Sequence, residues 1–186
     1  MENIFNSALQ ALLPFLVAIG VTAPGVSNAQ RTFTPEFTAL VVHVDDGDTL
    51  VALRADGQKT KVRLANIDAP EKEHGRCKPG QPFSEKATQA LKTLVHGKTV
   101  DFVCSTLDQY DRHICDVQTG ATTANRELVR QGVAWANRAR PSYLRDQEVV
   151  EAEEQAKAAG KGIWSDPRSV EPWTWRREVW TKTCQG

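Results

Sequence analysis

The stretch Val44-Asp45-Asp46-Gly47-Asp48-Thr49, continued after a short interval by Arg63-Leu64-Ala65-Asn66-Ile67-Asp68-Ala69-Pro70-Glu71, decides how the rest of the chain is read. Between the two segments, Asp56-Gly57 separates two runs of alternating apolar and polar residues, 49–54 and 60–67, the pattern of a tight β-hairpin. Gly47 allows a sharp turn between Asp46 and Asp48, because it has no Cβ to clash. Pro70 fixes a bend and ends the strand before it, with Asp68 and Glu71 on either side. If the two runs pair, both acidic corners fall at one end of the hairpin. Carboxylates gathered there repel one another unless something neutralises them, and a hard, oxygen-seeking metal ion is the usual solution. Arg63 beside them suits an anionic group, most simply a phosphate gripped by two parallel hydrogen bonds.

Outward from this hairpin the chain alternates between strand and helix signals. Ala39 to Val44 is an apolar, β-branched run and reads as a first strand. Lys72 to Pro82 is polar, with two Gly and two Pro, and reads as a long exposed loop. Ser84 is expected to cap a helix that carries Ala87, Ala90, Leu91, Leu94 and Val95 at helical spacing and stops at Gly97. Thr99–Cys104 and His113–Val117 read as two further strands around the loop Asp108-Gln109-Tyr110-Asp111-Arg112. Thr123 opens a short helix closed by Gly132. A third helix is expected from about Tyr143 to Ala159, burying Val149, Ala152 and Ala156 and leaving Glu151, Glu153 and Glu154 to solvent. Five strands and three helices, mostly strands first, predict an α+β protein, mainly β: a small barrel with packed helices.

Three of these segments also carry a resemblance. Val44–Thr49, Arg63–Glu71 and Asp108–Arg112, in that order, resemble the signature segments of the staphylococcal nuclease (thermonuclease) family, and the similarity runs from about Val42 to Trp164. The resemblance implies a five-stranded OB-fold barrel with three packed helices. It also implies a set of roles. Asp48 and Asp68 would bind Ca²⁺ through their carboxylates, the Ala69 carbonyl would add a ligand, and Asp46 would stand one layer out. Glu71 would orient or deprotonate the attacking water, while Arg63 and Arg112 would hold the phosphate and stabilise the transition state. Tyr110 would contact the phosphate next to the scissile one, or else pack under its loop. The implied products, from DNA or RNA, carry a 3′-phosphate and a 5′-hydroxyl. Two departures stand out: Ala69 occupies a position that is usually threonine, and Asp111 one that is usually glycine. The tyrosines expected downstream are missing, and Trp135, Asn137, Arg138 and Arg140 fill that region.

Composition supports one ordinary globular domain: 186 residues, 40% hydrophobic and 25% charged. With 23 basic and 23 acidic residues no bulk positive field announces nucleic acid, so any grip on it rests on locally placed Arg and Lys. Residues 11–22 are apolar but short for a membrane span, and Ser27-Asn28-Ala29 offers a cleavage site before Gln30. Residues 1–29 are therefore expected to be a signal peptide, the alternative being an uncleaved anchor. Residues 30–164 are expected to form the thermonuclease-like domain, and 165–186 a Trp- and Arg-rich extension. In that extension Pro172-Trp173-Thr174-Trp175-Arg176-Arg177, with Trp180, either packs on the barrel as a lid or stacks on nucleic-acid bases. Cys77, Cys104, Cys115 and Cys184 suit an oxidising compartment and match no zinc spacing; Cys104–Cys115 is the favoured bridge. His43, His74, His96 and His113 form no ligand pattern either.

The expectation is an exported, periplasmic or secreted, monomeric Ca²⁺-dependent endonuclease acting on DNA and RNA, with no stable membrane association once the signal is removed. Its rival is a catalytically silent barrel that binds nucleic acid or protein. The joint presence of Asp48, Asp68, Glu71, Arg63 and Arg112 weighs against the rival, since a binder has no need of that set.

Overall fold

The computed structural model describes residues 36–185, and the expected signal segment 1–29 lies outside them. Five strands close a barrel. β1 (Phe37–Val44) pairs antiparallel with β2 (Thr49–Leu53), and β2 with β3 (Lys59–Leu64) through the Asp56-Gly57 turn, where Gly57 takes φ 84°. A two-residue strand, β4 (Ile67–Asp68), follows, and then helix α1 (Ser84–Val95). β5 (Thr99–Leu107) pairs antiparallel with β1 and with β6 (His113–Thr119). β6 returns alongside β3 in parallel, and that pairing removes the last sheet edge. This is the expected five-stranded OB-type barrel.

The alternation along each strand fills the barrel. Leu50 and Ala52, Val62 and Leu64, and Phe102, Cys115 and Val117 all point inward and are buried. α1 plugs one side with Ala87, Leu91 and Val95. β7 (Thr122–Thr123) leads into α2 (Ala124–Arg130), whose N-cap Thr123 Oγ1 accepts from the Arg126 N–H at 3.2 Å, as the sequence implied. β8 (Trp135–Ala136) pairs with β4, and α3 (Gln147–Ala158) packs on α2. Among the described residues no helix is long and apolar enough to cross a membrane.

Several details differ from the sequence reading, each for a visible reason. β3 ends at Leu64, three residues early, because Asn66 turns left-handed (φ 65°) and its side-chain oxygen accepts from the Arg145 and Asp146 N–H groups. Ser84 is the first helical residue and not a side-chain cap; Phe83, at φ 72°, holds the cap position. α3 starts at Gln147 under an Asp146 cap, because Pro141–Tyr143 forms a separate 3₁₀ turn. Glu153 is fully buried instead of solvated: it accepts from the Ala136 N–H at 2.9 Å and pairs with Arg138 at 2.7 Å and Lys157 at 3.0 Å. Gly47 is needed for space and not for its dihedral angles, since a Cβ there would lie 2.6 Å from the Cβ atoms of both Ala69 and Ala87.

After α3, a 3₁₀ turn (Gly162–Ser165) leads to a helical tail: α4 (Pro172–Trp175), a π-helical turn (Arg176–Trp180) and α5 (Thr181–Gln185). Two disulfides are present, Cys104–Cys115 across β5 and β6, where the two residues stand directly opposite, and Cys77–Cys184 between the 72–82 loop and the tail.

Candidate active site

The hairpin register builds the site. Thr49 lies opposite Arg63, so the residue before Thr49, Asp48, falls beside that arginine at the mouth of the barrel. Asp46 shapes the turn, its Oδ1 accepting the Asp48 N–H at 3.0 Å. Asp48 Oδ2 then accepts the Ala69 N–H at 2.7 Å, which ties the first acidic corner to the second. Asp68 is held on β4 by its pairing with Trp135 and is almost wholly buried.

Arg63 binds the corner together. It reaches Asp48 Oδ2 at 3.0 Å and Asp68 Oδ1 at 2.7 Å, and also donates to the Leu64 and Ile67 carbonyls at 3.0 and 3.1 Å. Burial opposes the charge on its guanidinium, yet Asp48 and Asp68 outweigh that and hold its pKa above the ordinary value. The carboxylates remain under strain. Burial, reinforced by Asp46 and Asp68, pushes Asp48 well above the usual carboxylate range against the pull of Arg63. Glu71 rises from 4.5 to about 7, mostly through burial, with Arg176 drawing it down and Asp68 pushing it up.

The parallel pairing of β3 with β6 sets Val62 beside His113, which brings Arg112 to the same end of the barrel. Asp108 aims it. Asp108 Oδ2 accepts from Arg112 Nε and Nη2 at 2.8 and 2.7 Å, and its Oδ1 accepts the Tyr110 and Arg112 N–H groups at 2.9 and 3.0 Å. Arg112 Nη1 reaches Thr49 Oγ1 at 3.4 Å, next to Asp48. Asp111 adopts φ 56°, the left-handed conformation that glycine would supply and aspartate tolerates. Tyr110 is 69% exposed, with Arg112 5.4 Å from its ring centroid, so it does not pack beneath the loop.

One member of the cluster was absent from the sequence reading. Arg176, from the tail, donates through Nη2 to Asp68 Oδ2 at 2.7 Å and through Nη1 to Glu71 Oε1. Burial opposes its charge, but Asp68 and Glu71 outweigh that and raise its pKa. The Trp- and Arg-rich composition of 172–177 marked the segment; nothing local pointed to partners over a hundred residues away.

A sequence profile described as staphylococcal nuclease homologue matches residues 61–166, more than half of the chain. The chain belongs to the staphylococcal nuclease family. Its relatives include a Haemophilus influenzae protein named as an uncharacterized endonuclease, 39% identical over 76% of this chain and 74% of that protein. Protein ParB of Escherichia coli is 38% identical over 81% of this chain and 85% of its own length. A micrococcal nuclease of Shigella flexneri is 37% identical over 76% and 82% respectively. An endonuclease, a phosphodiester hydrolase acting on nucleic acid, is what this membership supports.

For this family a divalent cation fits the corner by its chemistry. Asp48, Asp68, Glu71 and the Ala69 carbonyl offer hard oxygen donors, and the Asp48–Ala69 hydrogen bond with the shared Arg63 pairing gathers them at one corner. The other metal-like grouping among the described residues, Glu36, Cys104 and His113, is disabled because the Cys104 sulfur is bonded to Cys115.

Proposed function

We propose that the chain is a Ca²⁺-dependent endonuclease that hydrolyses phosphodiester bonds of DNA and RNA to 3′-phosphate and 5′-hydroxyl ends. The observation that carries the reading is the convergence, at one barrel mouth, of Asp48, Asp68 and Glu71 with the two barrel-borne arginines, Arg63 and Arg112. Asp48, Asp68 and the Ala69 carbonyl are the groups that would hold the cation. Bound there, Ca²⁺ would supply positive charge to a phosphate oxygen and leave positions open for water.

The chain's own groups do the rest. Glu71, with a pKa near 7, is poised to take a proton from water at neutral pH. Arg63 and Arg112 carry fixed positive charge toward the oxygens on which the transition state accumulates negative charge. Asp108 keeps Arg112 extended toward the site, so little reorganisation is needed at the moment of reaction. Tyr110, exposed beside Arg112, would touch the substrate backbone. Two disulfides support an exported, periplasmic or secreted protein. On this proposal it acts as a monomer, free of the membrane once residues 1–29 are removed.

The test is cleavage of plasmid DNA and total RNA by the wild type and by Glu71→Gln, Arg63→Ala and Arg112→Ala, with Ca²⁺, Mg²⁺ or chelator and with product ends labelled. Ca²⁺-dependent cleavage to 3′-phosphates is expected, with each variant slower by about a hundredfold or more. Folded protein that binds nucleic acid and cleaves nothing under any condition would leave the silent barrel in its place.

A further inference from the structure

The tail does more than extend the chain. Cys184 is bonded to Cys77 in the 72–82 loop, and Trp175 and Trp180 both donate their Nε1–H to the Pro79 carbonyl, at 3.1 and 2.9 Å. Gln81 Nε2 donates to the Val170 carbonyl at 2.6 Å, and His74 meets the edge of the Trp180 ring at 5.7 Å. The π-helical turn has a purpose in this arrangement. It begins at Arg176, and its wider turn brings residues five apart, Trp175 and Trp180, onto one side, where a single carbonyl accepts from both. With the two tryptophans fixed on the loop, Arg176 reaches Asp68 and Glu71. Among the described residues the neighbouring Arg177, exposed to solvent, pairs with Glu178 and not with the site acids.

We infer that residues 170–185 form a strap, fastened by Cys77–Cys184, whose Arg176 guanidinium occupies Asp68 and Glu71, competes with the divalent cation for Asp68, and so holds the enzyme in a closed, weakly metal-binding state. This rests on the nuclease reading above. The acids of the site are interleaved with guanidinium groups: Asp68 gives one oxygen to Arg63 and the other to Arg176, both at 2.7 Å. A divalent ion taking a place on Asp68 would sit against the guanidinium groups of both Arg63 and Arg176, so the cation binds well only when Arg176 has left. Arg63 is anchored in the barrel by two backbone carbonyls, whereas the Arg176 side chain is 37% exposed and can swing out without opening the core. The disulfide, eight residues beyond Arg176, keeps the guanidinium at high local concentration over the site. Apparent cation affinity is then reduced by the fraction of molecules in which the strap is closed.

Calorimetric titration of the oxidised protein with CaCl₂ tests this, in the wild type, Arg176→Gln, the double variant Cys77→Ser/Cys184→Ser, and Arg177→Gln as control. Circular dichroism would establish that each is folded. Arg176→Gln is expected to bind Ca²⁺ at least about tenfold more tightly, the double serine variant to fall between it and wild type, and Arg177→Gln to match wild type. DNA cleavage should rise in Arg176→Gln at limiting Ca²⁺ and converge with wild type at saturation. Should Arg176→Gln not fold, the double serine variant decides. Equal or weaker Ca²⁺ binding in the folded variants, with wild-type cleavage intact, overturns the strap alone and leaves the nuclease standing. Slower cleavage in Arg176→Gln at saturating Ca²⁺ overturns it in favour of a substrate contact. Neither binding nor cleavage in any form removes the nuclease reading and the strap together.

Discussion

Glu71 shows most directly how burial sets chemistry at the level of one side chain. Its pKa of about 7, against an ordinary 4.5, means the folded protein holds a proton there that the unfolded chain releases across that interval. Stability linked to Glu71 is therefore present below pH 4.5 and is lost as pH rises toward 7, by roughly 3 kcal/mol in all. Denaturant titrations in chelator, from pH 4.5 to 8, should show wild type losing that much relative to Glu71→Gln; parallel curves would refute the assignment. Residues of this kind were readable where short-range sequence places them. Asp46 and Asp48 flank Gly47, Asp68 and Glu71 flank Pro70, and the short 55–57 turn brings Arg63 alongside. Glu153 and Arg176 were not readable. Helical spacing sets Glu153 on the same face of α3 as Val149 and Ala156, but its charge argues for solvent, and its burial depends on Arg138 and the Ala136 N–H, both supplied by a separate segment. Arg176 meets carboxylates brought to it through a disulfide and two tryptophans.

At the level of elements, the loop between β5 and β6 shows how a short connection can hold one side chain in place. Asp108 accepts hydrogen bonds from two backbone N–H groups and from the Arg112 guanidinium, which closes the loop on itself; those bonds hold its pKa below the ordinary value despite the opposing effect of burial. The strands beneath are paired independently and bridged by Cys104–Cys115. Asp108→Ala should thus lower kcat by about ten- to a hundredfold while shifting the melting temperature by only a few degrees. A loss of fold comparable to the loss of rate would mean the loop supports the barrel instead of the reaction. The hairpins and α1 were legible because turn residues and period-two or helical spacing agree locally. The boundaries that moved, at Leu64 and Gln147, moved because Asn66 and Asp146 answer to each other across the fold. Single-segment periodicity holds no record of such a contact.

For the molecule as a whole, the two disulfides do different work, and their sequence separations say how. Cys104–Cys115 spans 11 residues between strands that already pair through backbone hydrogen bonds, so it restrains a short loop of the unfolded chain. Cys77–Cys184 spans 107 residues and links the loop after the β2–β3 hairpin to the tail, enclosing α1, β5, β6, α2 and α3. Restricting the unfolded ensemble over that distance is worth about 4–5 kcal/mol, against roughly 3 kcal/mol for a loop of fifteen residues. The native state tempers the difference, because a strap freed at Cys184 regains motion of its own. Guanidinium unfolding of Cys77→Ser/Cys184→Ser and Cys104→Ser/Cys115→Ser should therefore show the longer bridge costing more, by about 1 kcal/mol, with both variants still unfolding in one step. The reverse order would place the stability of this barrel in the β5–β6 ribbon and reduce the long bridge to a fastening for Arg176. A second, earlier transition confined to the 77/184 variant would mean that the tail folds as a separate unit, held to the barrel by sulfur more than by its tryptophans.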